Sequence, residues 1–535
     1  MASATAFGLY LGNTSACLAI FKVNSREPKN THYKYTVINI FEDFEGQHTD
    51  DNVDVVANEA GDRVTAAVVA FNEFEEVIGL AAKAGLFRNG PVTVLNNKRL
   101  MNKDIDPLEL ELAIKNSPCK IITENNVVQY LIKRNEKNEK IHPVEVSTQI
   151  FEAMYAISTT AAHDDNEHNV VLCVPLRFNP DSIRMWSKSA ISAGFRVLQV
   201  ISEPAAACLA YGIGQDKKES CYTLVYRIGG LSSDITLIQI VGGIYQVIST
   251  SYYPNLGGNK LTRILSEYLA GEFMSKWKLD PMESKRSMSK LNIAAETCKH
   301  VLSTISTAHC FVESLCDGVD FSHNITRARF ENLINSNISE YIAPVDKVLQ
   351  TTKLSAKDIG KIVLCGGTMK IPKLQDKIGA LFANGEVLTG KWSPDETMAI
   401  GAATQAALLL SHGMWDQSLQ ATNAEVNALK KSLHIQIGDN EPIVIPAETV
   451  VPIKWQTKLD VPEVKDGKIN IKVFEQDTKE LNNPKEIGLI CIPAESGAKL
   501  KVDTDLTEAS LNVNITDTKS GRKSSFRFGI HEDDS

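Results

Sequence analysis

Three short turns in the chain combine glycine with a hydroxyl-bearing residue: Gly12-Asn13-Thr14, Gly229-Gly230-Leu231-Ser232 and Gly366-Gly367-Thr368. Such a turn lets backbone N–H groups approach a phosphate with no Cβ in the way. Glycine is equally at home in ordinary hairpin turns, so each turn alone also reads as a plain connection. Each borders an apolar strand, and together they raise nucleotide binding as one reading of the spacing. Other clusters carry less. His163, Asn166, Glu167 and His168 read as a polar loop rather than a metal site. Lys133 to Lys140 reads as a solvated loop, and the acidic run Glu42 to Asp54 as an exposed one. The ten cysteines hold no Cys-x-x-Cys pair, so they read as reduced thiols of a cytosolic chain, without zinc.

The turns need strands to hold them. Phe7, Leu9 and Leu11 alternate before the first turn, and Ala16, Leu18 and Ile20 after it. Leu224 to Ile228 is apolar apart from Arg227. The second turn follows, ending at Asp234, and then the strand Ile235 to Ile240. Two such hairpins predict two related lobes. Between them, Pro143 opens a helix with Val146, Ile150, Met154 and Ile157 at helical spacing. The strand Val170 to Val174, a helix over Asp181 to Gly194 and another over Ser284 to Ser303 complete an α/β pattern. The character changes near residue 413. Residues 414–430 read as a linker, and 431–535 as alternating strands of sandwich size, with Ile469, Ile471, Val473, Leu511, Val513, Ile515, Phe526, Phe528 and Ile530 facing inward.

Composition excludes several classes. Of 535 residues, 43% are hydrophobic and 23% charged, which argues against a disordered, collagenous or coiled-coil chain. A net charge of −9 argues against direct, electrostatically driven nucleic-acid binding. No apolar run is long enough for a spanning helix, so no membrane association is expected.

The segments Val174-Pro175-Leu176-Arg177-Phe178-Asn179 and Ile201 to Gly212 resemble signature segments of the 70-kDa heat-shock chaperone family. So do Asn324 to Glu331, Val363 to Thr368, Ser393-Pro394-Asp395-Glu396 and Gly401-Ala402-Ala403. The resemblance is collinear over essentially the whole chain. It implies an α/β actin-like two-lobed ATPase domain over residues 1–413 and a truncated β-sandwich, peptide-binding-like domain over 431–535, without the helical lid.

The same resemblance implies ATP as cofactor and assigns a cleft. Gly12, Asn13 and Thr14 form the first phosphate turn, Gly229, Gly230, Leu231 and Ser232 the second, and Gly366, Gly367 and Thr368 the third. Lys83 corresponds to a lysine at the terminal phosphate, Glu203 to the catalytic-site glutamate and Asp234 to a carboxylate in the metal's hydration shell. Pro175 corresponds to an interlobe proline switch. Glu296, Lys299, His300 and Ser303 lie on the adenosine helix, with Lys370 flanking adenine and Asp395 an acid of the cleft. Two positions depart: Tyr10 and Arg227 stand where the family carries aspartates that organise hydrated Mg²⁺ and the attacking water. Little or no ATP hydrolysis is therefore expected, Mg²⁺ binding is in doubt, and no metal ligands are assigned. Arg227 is expected near the phosphates as a partial replacement for the metal's charge.

Within the family the chain is most similar to the atypical chaperone subunit of the cytosolic ribosome-associated complex. That similarity implies a zuotin-type J-domain partner, contact with the ribosome through that partner, and a co-chaperone role in nascent-chain folding in the cytosol. The alternative is an active ATP-driven peptide-binding chaperone. A sugar kinase or filament-forming actin relative is disfavoured by the sandwich and by the Pro175 and Glu203 segments.

Overall fold

The computed structural model describes residues 5–21, 53–102, 105–124, 127–162, 167–214, 220–241, 244–411, 429, 431–438, 442–445, 453–461, 468–476, 484–493, 497–507 and 510–529. The chain forms two compact units. One comprises Met1–Gly212, Cys221–Ile238 and Val247–Ala424; the other comprises Ile213–Ser220, Gln239–Gln246 and Glu425–Ser535.

Two mixed sheets organise the first unit. One runs, in spatial order, Arg196–Ser202, Asn169–Val174, Ala6–Leu11, Ser15–Phe21 and Val53–Val55. The other runs Ile244–Tyr253, Ser233–Val241, Ser220–Ile228, Ile359–Cys365 and Glu386–Leu388. Along these paths both sheets follow one topology: the first strand in the chain pairs with the second on one side and, in parallel, with the fourth on the other. The two hairpins legible in the sequence therefore head two repeats of one motif, and each glycine turn lies at the tip of its hairpin.

Apolar spacing places the helices as expected. Pro143–Ala161 buries Val146, Ile150 and Met154, with Ile157 half-buried. His142 caps it, accepting from Val144 N while Glu145 bonds back to the His142 amide. Pro180–Ser192 and Lys285–Thr304 follow, capped by Asn179 and Ser284. The helix Thr397–Ser411 presses small residues onto the first sheet. A Cβ on Gly401 would stand 1.8 Å from Ala206 O, and one on Gly8 2.1 Å from Ala399 O. That close approach fixes the helix Glu203–Ala210, and with it Glu203, against the base of the first lobe.

Some expectations change. Lys133 to Lys140 is no loop: Val127–Arg134 and Lys137–Ile141 pair as a hairpin, with Asn135 and Glu136 at φ 49° and 61°. Charge hid the hairpin because one face is solvated, and two successive positive φ values make the tight turn that matches strand twist. His168 is no solvated residue either. It is buried beside Phe7 and Tyr155, with Nδ1 2.8 Å from Ser158 Oγ. His163, Asn166, nearly all of the acidic run, the linker apart from Leu429, and Ile530 lie outside the described residues.

In the second unit one sheet runs Ile443–Ile445, Ser432–Ile437, Lys468–Gln476 and Lys485–Pro493. The other runs Ile453–Asp460, Lys499–Leu506, Ser510–Asp517 and Lys523–Gly529. The period-2 stripe of Ile469, Ile471, Val473, Leu511, Val513, Ile515 and Phe528 is buried, and Phe526 is half-buried against it. Each such side chain contributes roughly 1.5–3 kcal/mol on leaving water.

Candidate functional site

The three turns line one cleft of about 490 Å³. The two hairpin turns close alike: Gly12 N donates to Ser15 O at 2.7 Å, and Gly229 N to Ser232 O at 2.9 Å. Contacts then tie the turns together. Asn13 Nδ2 reaches Ser232 Oγ at 3.4 Å, and Thr368 Oγ1 donates to Gly229 O at 2.9 Å. A Cβ on Gly230 would lie 2.7 Å from Thr14 Oγ1, so glycine is required there for the turns to meet. Gly366, at φ 89°, sits where a Cβ would be 2.4 Å from Ile228 O. Backbone is thereby brought to the cleft from three sides, which suits a polyphosphate.

Beneath the turns lies a buried cluster of four charges. Arg227 Nη2 pairs with Asp234 and lies 3.3 Å from Ser232 Oγ, while Nε is 3.1 Å from Glu203 Oε2. Lys98 Nζ donates to Glu203 Oε1 at 2.5 Å and to Leu11 O at 2.6 Å, and stands 5.0 Å from the centre of the Tyr10 ring. Burial alone would raise the Glu203 carboxyl; Lys98 and Arg227 override it and hold the group below its ordinary value. Burial likewise works against the charge of Arg227, but Asp234 leads the anionic neighbours that hold the guanidinium well above its usual value. The Tyr10 phenol is pushed far up by burial, then by Glu203, so it remains a neutral hydroxyl.

Lys83 lines the cleft, but its Nζ is held 2.8 Å from Glu296 Oε2. The lysine that reaches the base of the first turn is Lys98, which the sequence reading did not single out; it is buried with its neighbours Asn97 and Arg99. Arg227 does lie at the phosphate turns, as expected. Its charge, however, is already matched by Asp234 and Glu203. Neither acid is left to take over from the replaced aspartates.

The other expected residues line the same cleft: Glu296, Lys299, His300, Ser303, Lys370 and Asp395. Lys370 pairs with Asp395 at 2.7 Å, and the His300 side chain is 66% exposed, which leaves its ring accessible for stacking on a base. Pro175, Glu203 and Asp234 instead line a second cavity of about 210 Å³, which shares Arg227 with the first. Lys299 is buried, donating to Thr262 Oγ1 at 2.7 Å and Gly258 O at 3.2 Å, and burial lowers its ammonium to about 8. The group is charged below that pH and neutral above it. Nucleotide affinity is therefore expected to fall about threefold to tenfold between pH 7 and 9, a slope Lys299→Met removes in fluorescence titrations.

ATP fits these residues: glycine turns for phosphate, an accessible imidazole for the base, and lysines at the rim. The two acids nearest the turns, Glu203 and Asp234, are paired with Lys98 and Arg227, so neither stands as an unpaired carboxylate toward a divalent cation.

Known proteins align with this picture. A model of the family described as Hsp70 protein matches residues 46–527. The chain is 35% identical over 532 residues to Heat shock 70 kDa protein 14 of Homo sapiens and 35% over 533 residues to that of Bos taurus. It is 34% identical over 530 residues to the Xenopus tropicalis protein. Each alignment covers 97% of this chain and 98% of the relative.

Proposed function

The chain belongs to the Hsp70 family of chaperones, and from that premise we propose that it is a chaperone subunit that holds ATP as a structural ligand and hydrolyses it little or not at all. The observation that carries this reading is the Arg227 guanidinium set between Asp234 and Glu203. Phosphoryl transfer relies almost wholly on positioning and electrostatics around the metal and the attacking water. Losing one preorganised group costs on the order of 100- to 1000-fold. Here a phenol and a guanidinium stand where the family carries two carboxylates, and the remaining acids are already paired.

In this reading the chain's own residues bind and neutralise. The turns donate backbone N–H groups to the phosphates, the paired lysines set the rim, and the base rests on His300. Bound Mg²⁺ would supply charge neutralisation in a hydrolysing relative; here the acids that would face it, Glu203 and Asp234, are paired with Lys98 and Arg227 instead.

We further propose that the chain pairs with a zuotin-type J-domain protein in the cytosol, reaches the ribosome through it, and helps a separate, hydrolysing chaperone act on nascent chains. Support comes from the sequence resemblance and from a net charge of −9, which disfavours direct contact with RNA. Affinity purification from cytosol combined with ribosome fractionation tests it. Recovery of a J-domain protein and co-migration with ribosomes is expected; a free monomer with brisk ATP turnover contradicts it and favours an active peptide chaperone.

A further inference from the structure

Away from the phosphate turns, the two lobes of the first unit are joined by a buried knot of side chains. Tyr252 lies at the end of the strand Ile244–Tyr253, in the second sheet, and Pro254 directly follows it. Arg99, Glu109 and Arg177 come from the first lobe, where Leu100, Met101, Ala113 and Phe178 belong to its hydrophobic core. Tyr252 Oη donates to Glu109 Oε1 at 2.7 Å, and Arg99 Nη2 donates to Pro254 O at 3.0 Å. The Arg177 guanidinium lies 4.1 Å from the centre of the Tyr252 ring. Glu109 gathers the set: Oε1 is 3.5 Å from Arg99 Nε, and Oε2 accepts from Arg177 Nη1 at 3.4 Å.

The residue types make this a firm join. Glu109 and Arg99 are 5% and 2% exposed, so parting the lobes would leave a buried carboxylate short of one donor and Arg99 short of its carbonyl. A cation over an aromatic face adds attraction that strengthens out of water. A second join, Arg227 to Glu203, ties the lobes at the base of the phosphate turns. With two ties at separate points, a rotation that spares one breaks the other.

We propose that these two joins hold the lobes at a single degree of closure, so that nucleotide enters the cleft without rotating them. The device is independent of whether ATP is hydrolysed. Such a lobe pair does not convert the bound nucleotide into a conformational signal, because a ligand shifts only an equilibrium whose two states are both accessible.

Amide hydrogen exchange on the full chain, without nucleotide, with ADP and with ATP, tests this. Exchange in 105–116 and 247–256 is expected to change less than about twofold with either nucleotide in the unaltered protein. In Glu109→Gln/Tyr252→Phe these segments should exchange about tenfold faster without nucleotide and slow again on adding ATP. A change of about tenfold on ATP in the unaltered protein overturns the proposal. So does a single variant, Tyr252→Phe, that speeds exchange equally in the strand Thr307–Cys316, which supplies no residue to the knot, because the contact is then general packing.

Discussion

Arg227→Ala is expected to lower the unfolding free energy of the ATPase-type unit by about 3–5 kcal/mol, the usual cost of removing one partner from a buried ion pair. The reason lies in what remains. Glu203 is 4% exposed and would keep only Lys98, while Asp234 would lose its guanidinium partner. Urea unfolding at neutral pH, followed by tryptophan emission from buried Trp186, reads the change. The pH dependence adds a second readout. The folded-state pKa of Glu203 is depressed, so its contribution is fully present above the ordinary carboxyl value and lost as pH falls through the folded one. Removing Arg227 takes away one of the cations that depress it, so acid destabilisation should begin at a higher pH in the variant. A stability change within about 0.5 kcal/mol would mean that the cluster is not the buried network described.

The second large effect is a gain. Tyr10→Asp/Arg227→Asp should convert the cleft into a metal-dependent one. The double variant brings two new carboxylates beside Glu203 and Asp234 and removes the cation that neutralises them. Without a metal these acids repel one another; with Mg²⁺ they have a hard cation to share. The melting temperature of the double variant should therefore rise with added Mg²⁺, as expected for a ligand that binds the native state alone. ATP affinity in the double variant should fall about 100-fold on chelation, a loss of about 2.7 kcal/mol. Unchanged melting in Mg²⁺, measured by differential scanning calorimetry with and without EDTA, would count against Arg227 as the reason for the expected metal indifference.

Sequence alone revealed the frame of the site because its signals are local. Glycine followed by hydroxyl residues at a strand end marks a turn whatever surrounds it, and the three turns do meet in one cleft. Arg227 was conspicuous as one charge inside an apolar strand. Its pairing was not: Asp234 meets it across the second hairpin, while Glu203 approaches only once the second lobe folds against the first. Lys98 escaped for a related reason: its burial depends on Trp186, Tyr10 and Glu203, all distant in the chain or on other elements. Lys83 was found from local context and lines the cleft, but no local signal pointed to Glu296, on the helix Lys285–Thr304, which holds its ammonium. The hairpin at Val127–Ile141 was hidden by charge, since a solvated sheet face is as polar as a loop.

The most direct test of the central claim is the affinity of the unaltered full chain for ATP, measured by isothermal titration calorimetry in excess Mg²⁺ and again in excess EDTA. With Glu203 and Asp234 already paired with Lys98 and Arg227 rather than turned to a metal, the two dissociation constants should agree within about threefold. A loss of about 100-fold or more on chelation would show that a metal carries the phosphate charge despite these pairings, and would contradict the account.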